Sequence, residues 1–443
     1  MKKLVFLFLL ILSYPSYSSN LLGGEITCRN INGLMYETKL TIYRDSMSGN
    51  LPLNCTIAYR DSVDTIIATH VVITPLGLIQ NNPNGYKSYT YIDTIIFPNT
   101  GTYKVSSRDC CRDSVDNISN ATSYGMYFEC MIMADGSNSS PEFLSSPINL
   151  AQLNQPFTNN ITPYDVDRDS LSWELVIPED IVSNGSGGFN IVSLPYNYPP
   201  SDSSLPFHID SILGDITFKP NIAGRYQIAV KLIEWRNGVP IGYVKREMKL
   251  TIIPVVNTPL VVQAKIQVLA FVSGQWTTVF LQNWTPVSPH PDIYLVPGEN
   301  LYISYTLNDP DLTGYPSSYC YSASIVNSSA YGTTLSNYND WADCDYDWST
   351  VAAADVSDQP IYVTFNTFEQ FSTSQYYGQF FNDYTFRIFV TNPTTGINEI
   401  SNDSKSVYLK SIDLLGRETD PNLPGFRIDL YSDGKTKKVF RGE

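Results

Sequence analysis

Apolar and polar residues alternate with a period of two along most of the chain, and this pattern predicts β-strands. The segment RYQIAVKL places four apolar residues on one face: Tyr226, Ile228, Val230 and Leu232. The segments EMKLTI, ENLYISYTL and DYTFRIFV alternate in the same way. Clusters of Asn, Asp, Gly and Pro separate these runs and are typical of turns. Many short strands with regular turn signals predict an all-β chain built from tandem β-sandwiches.

Shifts in composition divide the chain into sandwiches. The stretch Asp135–Pro147 is a connector of small residues that carries proline, and Thr251–Leu260 is a second one. Pro254 and Pro259 cannot donate a hydrogen bond within a central strand, so a boundary is expected there. We predict β-sandwiches at 20–133, 134–254 and 255–410, followed by a C-terminal cassette at 411–443.

The N-terminus predicts export. Lys2 and Lys3 precede an apolar run, Leu4–Leu12, and small polar residues follow as far as Ser19. This order is that of a secretory signal peptide, which we place at 1–19. The alternative is a transmembrane anchor, but the run is shorter than the roughly 20 residues that a spanning helix needs. We therefore expect a secreted or outer cell-surface protein whose mature chain has no transmembrane span.

The charge balance excludes two classes of partner. The chain has 443 residues and a formal net charge of −15. No basic stripe is present that could replace the counterions of a nucleic acid. The same acidity argues against adsorption to an anionic membrane.

All cysteines lie in the part that we expect to be exported, where disulfides are favoured over metal ligation. Cys320 and Cys344 share one region and are predicted to pair. A relaxed trans peptide does not let the adjacent Cys110 and Cys111 bond each other, so we expect each to reach a different partner. The pairing of the N-terminal five stays open: Cys28, Cys55, Cys110, Cys111 and Cys130.

The segment YDVDRDSLSW is the best candidate for a metal site. Asp165, Asp167 and Asp169 alternate just before a predicted strand, and Glu234 in LIEWRNG can add a further oxygen. Several carboxylates on a turn suit Ca²⁺, which is the metal we expect here. The alternative is an Asx-type turn, in which the aspartates cap backbone N–H groups.

Signals for catalysis are absent from the sequence patterns, and we expect no enzyme. The three histidines are dispersed, and neither a zinc-binding nor a nucleophile motif occurs. A binding loop is the rival hypothesis: in Tyr338–Trp348, the aromatic residues Trp341, Tyr346 and Trp348 alternate with aspartates. Such rings can stack on sugars, or they can pack inward as ordinary core residues.

A short pattern of Asp, then Ser or Thr, then an apolar residue recurs before residue 213. Strand starts generate this pattern without any function. It also resembles the O-glycosylation acceptor of Bacteroidota envelope proteins. The hydroxyl residues that this resemblance implies as acceptors are Ser46, Ser62, Thr65, Thr94, Ser114, Ser170 and Ser211.

The end of the chain carries a family resemblance. Asp413–Glu418 (DLLGRE), Tyr431, Gly434 and a basic last strand with Lys437 and Lys438 resemble the C-terminal sorting domain of the type IX secretion system of Bacteroidota. The resemblance implies that the type IX secretion machinery is a partner and that the cassette directs export.

A second resemblance covers most of the first two predicted sandwiches. LLGGEITCRNINGLMYETKLTIYRDS, CCRDSVDNISN and YDVDRDSLSWEL look like the N-terminal region of large Bacteroidota surface proteins, which often end in sorting or gliding-motility-associated domains. From Asn138 onward, NSSPEF, YDVDRDSLSW and GDITFKP also look cadherin-like. This likeness implies immunoglobulin/cadherin-like sandwiches and aspartates that bind Ca²⁺. Arg168 stands where a Gly is common between such aspartates.

These observations together predict a non-enzymatic β-sandwich protein, exported through the type IX system, that acts in adhesion or surface architecture. Its surface ligand, a protein or a glycan, is not indicated. The alternative function is a carbohydrate-binding module or an accessory of a secreted glycoside hydrolase.

Overall fold

A computed structural model describes nineteen stretches of the chain. They are residues 20–45, 54–73, 80–82, 86–145, 147–161, 163–183, 189–254, 261–272, 274–285, 292–308, 318–321, 338–340, 343–349, 361–372, 377–390, 408–412, 418–420, 425–431 and 436–441. The predicted signal peptide, Ser46 and Trp341 lie outside this part. Within it, regular structure is strand throughout, apart from one turn of 3-10 helix at Ala121–Ser123. The predicted all-β class is therefore confirmed.

The strands up to residue 134 are β1 (Leu21–Asn32), β2 (Met35–Asp45), β3 (Asn54–Arg60), β4 (Ile66–Ile73), β5 (Gln80–Asn82), β6 (Tyr86–Ile96), β7 (Gly101–Asp109) and β8 (Met126–Ala134). Those up to residue 253 are β9 (Glu142–Phe143), β10 (Ile148–Gln152), β11 (Phe157–Asn160), β12 (Pro163–Tyr164), β13 (Ser170–Val176), β14 (Glu179–Ser183), β15 (Phe189–Ser193), β16 (His208–Ile209), β17 (Asp215–Phe218), β18 (Gly224–Arg236) and β19 (Val239–Ile253).

The remaining strands are β20 (Val261–Val272), β21 (Gln275–Trp284), β22 (Asp292–Leu295), β23 (Asn300–Asn308), β24 (Ser318–Tyr321), β25 (Tyr338–Asp340), β26 (Asp343–Ser349), β27 (Ile361–Ser372), β28 (Tyr377–Val390), β29 (Tyr408–Ile412), β30 (Glu418–Thr419), β31 (Gly425–Tyr431) and β32 (Thr436–Arg441). Among them, β20–β28 form a five-stranded and a four-stranded sheet in the described part. The strands β29–β32 form a separate four-stranded sheet in the order β30-β29-β31-β32.

One strand, β19, organises the largest sheet, which has 12 strands among the described residues. It pairs antiparallel with β18, parallel with β10, and antiparallel with β1 and β8. The hairpin β18–β19 turns on Asn237-Gly238, both with positive φ, as a two-residue turn of this kind requires. The predicted boundary between 133 and 134 stays a prediction, and the sheet runs across it.

Both faces of β19 are buried, although its alternation predicted one polar face. Met248, Leu250 and Ile252 join the main hydrophobic core. Glu247 and Lys249, on the opposite face, are also buried. Each has an ion-pair partner: Arg112 donates to Glu247, and Lys249 Nζ lies 2.5 Å from the Asp113 carboxylate. Charges are tolerated there because each is paired and hydrogen-bonded.

The cysteine prediction fails at one point. Cys110 and Cys111 form a disulfide with each other. The expectation that each reaches a different partner assumed a trans peptide, whereas the bond between them is cis and the Cα atoms lie 3.0 Å apart. In the described part, Cys28, Cys55 and Cys130 are buried thiols. The side chains of Cys320 and Cys344 lie outside the description, so their pairing stays a prediction.

Two units divide the chain, Met1–Asn392 and Pro393–Glu443. The second contains the sheet β29–β32, which begins at Tyr408, slightly before the predicted start of the cassette at 411. No helix in the described residues is long and apolar enough to cross a membrane.

Close contact between β1 and β19 depends on Gly23, because a Cβ there would collide with the backbone carbonyl of Glu247. We expect Gly23→Ala to destabilise the protein by about 2–3 kcal/mol, since backbone atoms cannot move aside as a side chain can. Gly238→Ala is the control: its φ is +74° with nothing within 4 Å, so only turn strain of about 1 kcal/mol is expected. Urea denaturation of both full-length variants measures the difference. Equal losses in the free energy of unfolding for the two variants would contradict the close approach of β1 to β19.

Candidate metal centre

The register between β13 and β18 brings the predicted metal residues to one place. Asp165, Asp167 and Asp169 lie in the loop between β12 and β13. Leu171, two residues further on, pairs with Glu234 of β18. The strand pairing therefore carries Glu234 to the mouth of the aspartate loop, although 65 residues of sequence separate Glu234 from Asp169.

The structure gathers all four predicted residues into one cluster. One carboxylate oxygen from each of Asp165, Asp167, Asp169 and Glu234 lies within 4.8 Å of the others. Asp165 is 8% exposed and Glu234 is fully buried, whereas Asp167 is exposed. The cluster is thus buried on one side and open to solvent on the other.

The turn that formed the alternative interpretation is present as well. Asp165 Oδ1 accepts a hydrogen bond from the Asp169 N–H at 3.0 Å, which is capping of an Asx type. Arg168 adopts φ +62° within this turn. Asp167 Oδ2 accepts from the Ser139 N–H at 2.5 Å. Each of these two aspartates therefore uses one oxygen for backbone capping, which orients its carboxylate.

Among the residues that the structure describes, none forms a hydrogen bond with two oxygens at the buried side: Asp165 Oδ2 and Glu234 Oε1. Burying an acceptor in this way costs roughly 1–3 kcal/mol unless something satisfies it. Both atoms belong to the carboxylates of the cluster. An ion that accepted their lone pairs would remove this cost.

The raised pKa values of the clustered carboxyl groups also favour a bound cation. Burial, reinforced by the charge of Asp165, raises the pKa of Glu234 to about 10. Burial also raises the pKa of Asp165 to about 7, and the charges of Asp167 and Asp169 add to the shift. The pKa of Asp167 is raised as well, chiefly by burial. Without a further cation, the site therefore favours protonated carboxylates.

One protein cation already lies at the rim. The Arg236 guanidinium donates to both oxygens of Asp169, with Nε–Oδ1 at 2.8 Å, and to Asp135 Oδ2 at 2.9 Å. The bond to Asp169 raises the pKa of Arg236. Arg236 neutralises Asp169 but makes no hydrogen bond to the two unpartnered oxygens.

The connector 135–140, which the sequence patterns did not assign to the site, forms another side of the cluster. Asn138 is fully buried; its Oδ1 accepts from Arg236 at 2.5 Å, and its Nδ2 donates to Glu234 Oε2 at 3.4 Å. Asp135 caps the N–H groups of Ser137 and Asn138. The Asp and Asn residues of the connector DGSNSS could have indicated a metal site, because both residue types offer hard oxygen ligands. What the sequence could not show is that the connector folds back onto β18.

This donor set suits one class of metal. All side-chain donors are oxygens, without sulfur or imidazole, so a hard cation is favoured. Ca²⁺ takes 6–8 oxygens in flexible geometry, and carboxylates of unequal exposure can supply several of them. Four residues would hold such an ion: Asp165 and Glu234, whose unpartnered oxygens lie in the cluster, Asp169 beside Arg236, and the exposed Asp167.

None of the other predicted site residues whose side chains the structure describes belongs to the cluster, although Ser170 directly follows Asp169. Ser62, Thr65, Thr94, Ser114, Ser170 and Ser211 are all exposed. Tyr346 and Trp348 lie on β26, opposite Ile303 and Leu301 of β23, and their side chains lie outside the description. Both the glycan acceptors and the aromatic sugar-binding surface stay predictions.

Comparison with known proteins identifies no family. No protein-family model matches the chain, and no curated protein matches it. Among solved structures, immunoglobulin domains 1–4 of Sidekick-1 align over 95% of this chain and 98% of that one, with 9% identity and a TM-score of 0.19. The titin tandem A164–A165 aligns over 53% of this chain and 99% of that one, with 11% identity and a TM-score of 0.15. The N-terminal four immunoglobulin domains of Dscam1 isoform 4.4 align over 82% and 73%, with 10% identity and a TM-score of 0.15. TM-scores this low are no basis for transferring a function.

The protonation of Glu234 generates a prediction in the absence of metal. Glu234→Gln keeps the shape of a neutral carboxyl, so in chelator we expect the free energy of unfolding to change by less than about 1 kcal/mol. Asp169→Asn removes the carboxylate that accepts two hydrogen bonds from Arg236, whose guanidinium then keeps only Asp135, and should cost about 1–2 kcal/mol. Urea denaturation in EDTA compares the two variants. The opposite order of costs would mean that Glu234 is charged in the folded protein.

Proposed function

We propose that this chain is a non-catalytic β-sandwich protein of the cell exterior, stabilised by Ca²⁺ and acting in adhesion or surface architecture. The observation that carries the proposal is the pair of buried oxygens without partners, Asp165 Oδ2 and Glu234 Oε1, inside a cluster of four carboxylates. The exterior location rests on the predicted signal peptide and on the resemblance of the C-terminal cassette to type IX sorting domains.

A bound Ca²⁺ would join three separate segments of chain. The loop 165–169 and the end of β18 supply the carboxylates, and the connector 135–140 already bonds to them through Asn138 and Ser139. The connector follows β8 directly, so fixing it also fixes how β8 leads into the strands beyond. An ion that cross-links these segments would hold the connector, the loop and β18 in a fixed arrangement. This is a mechanical role that needs no catalytic group.

Export through the type IX system is part of the proposal. The unit Pro393–Glu443 carries its own sheet, β29–β32, which is compatible with a separable handle. Its basic last strand contrasts with an acidic chain, so a secretion machinery could recognise it apart from the cargo. The type IX machinery is the partner that we propose for this unit.

The calcium proposal predicts a rise in thermal stability. With an affinity of about 10⁻⁴–10⁻³ M, 10 mM Ca²⁺ should stabilise the protein by about 1.5–3 kcal/mol. We expect Tm of the full-length mature chain to rise by about 3–8 °C in differential scanning fluorimetry. The variant Asp165→Asn/Glu234→Gln should lose the response.

The matched control is Glu174→Gln, which removes a carboxylate from β13 outside the cluster, where the Glu174 side chain is 54% exposed. It should keep the full response to Ca²⁺. Equal Tm values for the wild-type chain in EDTA and in 10 mM Ca²⁺ would refute calcium binding. A response retained by the double variant would place the ion elsewhere.

The export proposal predicts a processed protein outside the cell. Intact-mass spectrometry of protein from the native host should show loss of the first residues, near Asn20, and of the segment after about Lys410, in the surface or medium fraction. Deletion of residues 411–443 should leave the protein in the periplasm. A wild-type protein that keeps its C-terminal segment and stays in the periplasm would contradict type IX export.

A further inference from the structure

Two of the buried thiols lie in contact across strands of the main core. Cys28 of β1 is 1% exposed and Cys130 of β8 is fully buried, and both belong to one hydrophobic cluster. The Cys28 side chain interacts with the Cys130 thiol and, together with burial, raises the pKa of that thiol. The strands β1 and β8 are neighbours in space at this point, although both also pair with β19.

A third residue fixes the contact. Ser140 Oγ accepts the Cys28 N–H at 2.9 Å, and the Ser140 N–H donates back to the Cys28 carbonyl at 2.7 Å. The Ser140 side chain also interacts with the Cys130 thiol and partly offsets the rise in its pKa. The segment 138–140 therefore holds Cys28 and Cys130 together from one side. It is also the segment that forms a wall of the candidate metal centre.

We propose that Cys28 and Cys130 form a disulfide in the exported protein and that Cys55 remains a buried thiol. The pairing rests on the proposed export, because only an oxidising compartment favours the bond. Cys55 is the third buried thiol of the described part, and no contact places it beside either of the other two. With the Cys110–Cys111 bond, the connectivity of the first five cysteines would be complete.

The chemistry is a two-electron exchange with a partner disulfide, either a small molecule such as glutathione disulfide or a protein oxidant. One cysteine thiolate attacks the partner disulfide and releases one partner thiol, which gives a mixed disulfide. The second cysteine thiolate then attacks the mixed disulfide and releases the other partner thiol. The two cysteines are oxidised, the partner is reduced to two thiols, and both protons end on those thiols. Burial also raises the pKa of the Cys130 thiol, so the bond should form during folding, before the core closes.

Such a bond would constrain the region in which it lies. It would close a loop from residue 28 to residue 130 that contains β2–β7, and long loops gain the most from a cross-link. It would also secure the strand β8, from which the connector to the metal centre departs. Reduction should therefore lower Tm, by roughly 10 °C for a loop of this length.

Peptide mapping tests the pairing directly. The mature full-length chain is denatured without reductant, its free thiols are blocked with N-ethylmaleimide, and it is digested with trypsin. The sequence places each relevant cysteine in a separable peptide: Cys28 in the peptide that ends at Arg29, Cys55 in 45–60, the vicinal pair in 109–112, and Cys130 in 113–168. We expect the peptide ending at Arg29 to be linked to 113–168, and 45–60 to carry maleimide.

Tm measurements on cysteine variants provide a second, independent test of the pairing. Dithiothreitol should lower Tm of the wild-type chain and of Cys55→Ser to a similar extent. Cys28→Ser, Cys130→Ser and the double variant should share one reduced Tm, because either change removes the same bond. Costs that add in the double variant would overturn the proposal, as would maleimide on both Cys28 and Cys130 in protein from the outer fraction.

A failure of export is distinguishable from a failure of the pairing. If the protein is found inside the cell with both thiols free, the full chain is refolded in a glutathione/glutathione-disulfide buffer and mapped again. A link between the two peptides then supports the pairing and shows that only the location is wrong. Maleimide on both cysteines after refolding overturns the pairing itself.

Discussion

The pairing of β19 on both of its edges is the constraint on which the rest of this structure depends. Four strands bond to it, from both sides of a predicted boundary. Because both of its faces are covered, its charged residues must be neutralised in place, and Arg112 and Asp113 do so for Glu247 and Lys249. Breaking such a pair leaves a buried charge and costs several kcal/mol. Strands that shift register against β19 would break these pairs, so the ion pairs help to fix the register.

That register positions the metal centre. The strand β18 pairs with β19 along its whole length, and β13 pairs with β18 so that Leu171 is opposite Glu234. The aspartate loop just before β13 is thereby set against a buried glutamate. Neither the loop nor the strand could form the site alone, because the loop supplies three carboxylates without Glu234, and Glu234 alone would be a buried, neutral acid. Together they leave two oxygens that a protein donor does not satisfy.

The sequence allowed the strands to be predicted better than their surroundings. Alternation located β18, β19, β23 and β28 because it reports which residues share a face. It separates Glu247 and Lys249 from the apolar face, but it cannot show that this second face is covered and its charges paired. The acidic residues of the site were recognisable from their spacing and type. Asn138 and Arg236 were not, because their roles depend on how a connector folds back. The Cys110–Cys111 bond was excluded on the assumption of a trans peptide, which local sequence cannot test.

The most direct test of the calcium site is a crystal structure of the full-length mature protein grown with millimolar CaCl₂. We expect an ion with oxygen ligands at about 2.3–2.6 Å from Asp165 and Glu234, with Asp169 or the exposed Asp167 completing its coordination. Both buried oxygens would then have a partner. The contradictory result is a cluster that holds only water or a displaced Arg236 guanidinium at that position. In that case the aspartates serve only to cap the backbone of an Asx-type turn, and the proposal that Ca²⁺ stabilises the protein is wrong.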